Sequence, residues 1–121
     1  MIGSPDMIAQ LNYIEFAGGD LAATKTFYTD VFGWVFTDYG PTYASFGKAQ
    51  AGLDGGFDTS VTAAAPGALV VFYAKDLEAV LAKVKAADGE IVREIFDFPG
   101  GRRFHFKDPA GNELAVWSDP V

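Results

Sequence analysis

The chain has 121 residues, half of them hydrophobic and 11 of them phenylalanine, enough for one domain with a workable core. Charged residues make up 21%, which argues against disorder, and a formal net charge of −7 sets the chain against phosphate backbones and anionic lipid. Cysteine is missing, which removes disulfides, thiolate metal sites and cysteine nucleophiles, and no apolar run approaches the roughly 18 residues that span a bilayer.

Residues 1–7 read as a loose tail. The stretch MIGSPDMIAQ lacks the basic and apolar regions of a signal peptide, so the expectation is a cytoplasmic protein that binds neither nucleic acid nor membrane. A strand is expected in LNYIEF, from Leu11. Asp20 then offers its carboxylate to the free N–H groups of a first helical turn. Leu21, Thr24, Phe27, Tyr28, Val31 and Phe32 follow at helical spacing, and Gly33 suits the left-handed stop. WVFTDY and TYASFG read as strands around a Gly40-Pro41 turn, and AGLDGGF as a weaker fourth strand. The Gly-Gly pairs at 18–19, 55–56 and 100–101 read as hinges at strand ends.

After the linker DTSVTAAAPG the order repeats. ALVVFYA is a strand, and DLEAVLAKVKAADG is a helix with Asp76 as cap, Gly89 as stop and Leu77, Val80, Leu81 and Val84 on one face. EIVREIF is a strand, and RRFHFKDPAGNELAVW a hairpin turning at Asp108 to Asn112. Asp20 and Asp76, Leu21 and Leu77, and Gly33 and Gly89 stand at one constant separation. The pattern is α+β: a single domain, 8–121, of two βαβββ modules, 8–58 and 67–118, whose open, curved mixed sheets surround a cleft.

Parity divides the faces. Phe104, Phe106, Leu114 and Val116 share the side the helices cover, with Ile14 and Phe16. Arg103, His105, Lys107, Glu113, Ala115 and Trp117 share the other side, with Leu11, Tyr13 and Glu15. A mixed aromatic and polar face opposite an apolar one is a cleft for a small molecule.

IEFAGGDLAATKTFYTDVFGW (Ile14 to Trp34), the Asp76-Leu77 pair and FHFKDPAGNELAVW (Phe104 to Trp117) resemble the vicinal oxygen chelate superfamily. That superfamily includes glyoxalase I, extradiol dioxygenases and bleomycin-resistance proteins. The resemblance covers about Leu11 to Trp117 and implies a homodimer of modules curled around a cleft. It also implies a metal site, whose ligand positions fall by counting at Tyr13, at Val70 or Leu69, at Ala115 and near Leu53 or Asp54. Valine and alanine have no lone pair, and phenol is an uncommon ligand. The metal positions therefore read as lost, and no cofactor is expected.

Three readings of the polar residues remain. Glu15, His105 and Glu113 could form a relocated metal site, although Arg103 and Lys107 share the face. Glu113 could pair with Lys107 or Arg103 while His105 donates to Glu15, as a plain cleft wall. Glu15 and His105 could act as an acid–base pair in a lyase or isomerase. The leading expectation is metal-independent binding of an aromatic or apolar molecule by Tyr13, Glu15, Tyr43, Arg103, His105, Glu113 and Trp117. Trp34, which follows the helix-ending glycine, reads as core, Phe46 fits core or pocket, and Phe72 is placed in the pocket.

Overall fold

A computed structural model describes residues 11–63 and 68–121; the expected tail and positions 64–67 of the linker lie outside them. The first module runs β1 (Tyr13–Ala17), α1 (Leu21–Phe32), β2 (Phe36–Asp38), β3 (Tyr43–Phe46), α2 (Lys48–Ala51) and β4 (Asp54–Asp58). The second runs β5 (Val70–Tyr73), α3 (Leu77–Ala86), β6 (Glu90–Phe98), β7 (Gly101–Lys107) and β8 (Glu113–Ser118). Each forms a four-stranded sheet, ordered β1-β4-β3-β2 and β5-β8-β7-β6. β1 lies parallel to β4 and β5 parallel to β8, while the remaining pairs are antiparallel. This is the expected α+β fold of two βαβββ modules.

The helix starts follow their local chemistry. Asp20 accepts from Ala23 N–H and Asp76 from Ala79 N–H, each a side-chain cap on an orphan donor. Gly33 ends α1 in the left-handed region at φ 72°. Its expected counterpart Gly89 does not. There the left-handed residue is Asp88, at φ 63°, and Gly89 is required by packing. A Cβ on Gly89 would stand 2.6 Å from Val84 Cγ1 and 2.8 Å from Phe27 Cε1.

Other boundaries moved as well. The strand expected from Trp34 is confined to β2, because the Trp34 ring turns into the core and stacks 4.7 Å from Tyr28. The helix α2 is an addition to the expected order, and β6 runs two residues past Phe96. Gly55 and Gly56 are not a hinge: they lie inside β4, paired with Ile14 and Glu15.

Phe104, Phe106, Leu114 and Val116 are fully buried, as parity requires, and Phe46 and Trp34 join them in one core. Phe72 is partly buried: it packs against that core and also borders a cleft beside β5. The core crosses the module boundary. Phe27 and Phe32 of α1 meet Phe106 and Phe72 of the second sheet, at ring separations of 5.9 and 4.5 Å. Burying each such ring contributes about 1.5–3 kcal/mol, so apolar contact carries most of the junction.

A polar clasp completes it. In the β7–β8 turn, Asp108 accepts from Tyr28 OH at 2.9 Å, while Asn112 Nδ2 donates to Ala17 O at 2.8 Å and to Asp108 Oδ2 at 2.9 Å. Tyr28 and Ala17 belong to the first module. The Asp-Pro-x-Gly-Asn turn thus ties the second module to the first. Burial raises the Asp108 carboxyl pKa, against the hydrogen bonds of Asn112 and Tyr28, and burial beside Asp108 lifts the Tyr28 phenol well above its ordinary value.

Candidate functional site

With the helices on one side, both sheets turn their other face away from the core. On the second sheet, strand register sets the residues in rows. Phe96, Arg103, Trp117 and Tyr73 form one row, Arg93, His105, Ala115 and Val71 the next, and Glu90, Lys107 and Glu113 a third. Two register shifts in β6 permit the alignment of Arg93 and Phe96.

The first row is an aromatic ledge. Trp117 meets Tyr73 edge-on at 5.0 Å and Phe98 at 6.3 Å. The Arg103 guanidinium lies 5.3 Å from the Phe96 ring and 5.6 Å from Phe98, and Arg93 sits 3.6 Å over Phe96. Tyr73 is 53% exposed and donates to Asp119 at 2.5 Å. Beside β5 opens a cleft of about 340 Å³, bordered by Phe32, Trp34, Gly52, Phe72, Tyr73 and Val80.

His105 occupies the second row and is 8% exposed. Its Nδ1 donates to Glu113 Oε2 at 3.1 Å, so this pair replaces the pairings expected from sequence, Glu113 with Lys107 or Arg103 and His105 with Glu15. With Nδ1 so engaged, Nε2 is buried without a partner among the described residues, as is Arg103 Nε. Buried nitrogens without a hydrogen-bond partner are uncommon in folded proteins.

The first sheet holds a separate cluster. Tyr43 OH donates to Glu15 Oε2 at 2.8 Å and lies 2.5 Å from Tyr13 OH. Gly56 makes this possible: a Cβ there would stand 2.3 Å from Tyr43 OH, so the ring crosses β4 only because that position is bare. Desolvation, then the bonds to Tyr13 and Glu15, hold the Tyr43 phenol above its ordinary pKa. Sequence reasoning named all three residues, but it took Gly56 for a hinge. Tyr39, opposite Tyr43 with its ring 6.5 Å away, was not singled out.

The structure therefore gathers the seven expected residues into two groups, Tyr13–Glu15–Tyr43 and Arg103–His105–Glu113–Trp117. Among the described residues no hydrogen bond or ion pair joins Glu15 to His105. No group of three His, Asp or Glu residues among them is placed to hold a metal ion, so the relocated site of Glu15, His105 and Glu113 is not assembled. The counted positions hold Tyr13, Leu69 or Val70, Leu53 or Asp54, and Ala115; leucine, valine and alanine offer no donor, and the Asp54 carboxylate accepts from Lys48 N–H.

Comparison with known proteins follows the fold. The family model described as Glyoxalase/Bleomycin resistance protein/Dioxygenase superfamily matches residues 10–116. The anthracycline biosynthesis protein DnrV of Streptomyces peucetius is 32% identical over 128 residues, which cover 90% of this chain and 46% of DnrV. A glyoxalase-related enzyme from Fulvimarina pelagi superposes with a TM-score of 0.77 at 20% identity, covering 94% of this chain and 91% of its own. TnmS3, an antibiotic binding protein from Streptomyces sp. CB03234, superposes at 0.71 with 19% identity, covering 93% and 97%. The chain spans less than half the length of the curated relatives it matches.

Proposed function

The chain belongs to the glyoxalase/bleomycin resistance protein/dioxygenase superfamily, and from that premise we propose that it binds a small aromatic or apolar molecule without a metal. One observation carries the proposal. The aromatic ledge of Phe96, Trp117 and Tyr73 adjoins two buried, unpaired nitrogens, Arg103 Nε and His105 Nε2. A flat ligand stacks on the rings beside the Arg103 guanidinium, which already lies over Phe96 and Phe98. The cleft beside Tyr73 has the size at which small-molecule sites begin. The antibiotic binding protein among the structural neighbours is consistent with this use of the fold.

The alternative, a lyase or isomerase with Glu15 and His105 as acid and base, needs the two to share a substrate. Each is already bonded within its own sheet, Glu15 to Tyr43 and His105 to Glu113, so binding without chemistry is the better-supported function. A cytoplasmic homodimer completes the proposal. Its support is the length of the relatives, because two copies of this chain supply the module count of a protein about twice as long. Analytical ultracentrifugation tests the dimer.

Tryptophan emission tests the binding. Trp34 is 3% exposed in the core, whereas Trp117 lies on the ledge. A panel of planar aromatics is expected to quench Trp117 and raise the melting temperature, with both effects lost in Trp117→Leu. Quenching that persists in that variant places binding elsewhere, and a panel without effect removes the proposal.

A further inference from the structure

The hydrogen bonds of the first sheet have a direction. A carboxylate only accepts, so the single Tyr43 proton is committed to Glu15. Tyr13 must then spend its own proton on Tyr43, across 2.5 Å. The Tyr13 oxygen, on a residue 46% exposed, is left with lone pairs and no proton to give. Each bond in such a chain polarises the next, so the negative charge of Glu15 strengthens Tyr13 as an acceptor.

The surroundings share that sign. The strands of the first sheet carry Glu15, Asp54 and Asp58 at one parity, with Asp38 paired to Lys25 of α1, and no lysine or arginine, whereas strands of the second balance Arg93, Arg102, Arg103 and Lys107 against Glu90, Glu94, Asp97 and Glu113. The exposed ring of Tyr39 borders Tyr43 on the same face. The two modules thus differ in charge where the sequence suggested one evenly mixed face.

We propose that Tyr13, backed by Tyr43 and Glu15, is an acceptor-only subsite that takes an N–H donor of the ligand, a protonated amine, and rejects a carboxylate. This rests on the proposal above that the inner face binds a small molecule, and it names the chemistry of one end of that molecule. Gly56 is its positioning residue, since any side chain there displaces the Tyr43 phenol.

Four probes separate the features involved: benzylammonium, benzyl alcohol, benzyltrimethylammonium and benzoate, titrated while the ring signals of Tyr13, Tyr43 and Trp117 are followed by NMR. Benzylammonium is expected to bind roughly tenfold tighter than the alcohol, the margin of a charge-assisted over a neutral hydrogen bond. It should exceed the trimethylated ion by a similar factor, because that ion has charge but no proton to donate, and benzoate should bind weakest. The preference should fall to about twofold or less in Tyr43→Phe and in Glu15→Gln, which alter partly exposed residues and leave the core intact.

Equal binding of benzylammonium and the trimethylated ion overturns the inference, as does benzoate binding as tightly as benzylammonium, or a preference that survives in Tyr43→Phe. Movement of Trp117 with silent tyrosines leaves aromatic binding standing and removes the donor subsite. Movement of the tyrosines alone does the reverse. Silence of all three signals refutes both.

Discussion

Replacing Asn112 with alanine tests the clasp between modules. The change removes two bonds from one nitrogen, to Ala17 O and to Asp108 Oδ2. Ala17 is 4% exposed, so its carbonyl loses this partner in a place water reaches poorly, a cost of about 1–3 kcal/mol. Asp108, 5% exposed, loses one donor but keeps Tyr28 OH and the Asn112 backbone N–H, for about 1–2 kcal/mol more. Asn112 itself is only half-buried, so some water can enter, and about 2–4 kcal/mol is expected overall. In a domain of this size that lowers the melting temperature by about 8–15 °C. Urea unfolding followed by circular dichroism gives the free energy, and Asn112→Asp sharpens the test. Its second carboxylate beside Asp108 should be more damaging than alanine at pH 7 and should recover as the pH falls through the carboxylate range. A loss below about 0.5 kcal/mol for alanine, or an aspartate variant as stable as the parent at pH 7, refutes the clasp.

Asp108 also sets a pH dependence. Its pKa is raised on folding, so the folded state holds that proton more tightly, and its stabilising contribution is present below the unfolded value of 3.8 and is lost as pH rises through the folded value. Asp108→Asn should flatten this fall, read as the difference in urea midpoints across that window, and an unchanged slope contradicts it. Gly89→Ala should cost about 1–3 kcal/mol by overpacking Val84 and Phe27, measurable as a lower urea midpoint; a neutral result would mean the left-handed residue beside it decides the turn. Asp76→Ala should cost about 1 kcal/mol through the lost cap on Ala79, with Asp76→Asn restoring most of it in the same assay.

Features set within a few residues could be read from sequence. Asp20 and Asp76 cap their helices because a cap needs only its own first turn, and Phe104, Phe106, Leu114 and Val116 fall on one face because strand parity is local. Features that depend on a distant partner could not be read in this way. Gly55 and Gly56 look like a turn until β1 and β3 are placed on either side of β4. Asn112 looks like a turn residue until Ala17 is found 2.8 Å from its amide. Likewise, the sequence placed Glu15 and His105 on one kind of face but contained nothing to say that each would be satisfied within its own sheet.

Strand order bears on how the chain is made. β5 lies at the edge of its sheet, and its pairing partner is β8, so Val70 waits for Leu114. Until then its side chains, Val71 and Tyr73 among them, have no neighbouring strand to join. The first module closes earlier, when β4 reaches β1. A growing chain therefore passes through a period in which one sheet is complete and the other holds an unpaired apolar strand, the kind of segment that captures its like in a neighbouring nascent chain. Slower elongation between β5 and β8 would lengthen that exposure, and a lysine at Val71 would make synthesis safer at the expense of the sheet face proposed to bind a ligand.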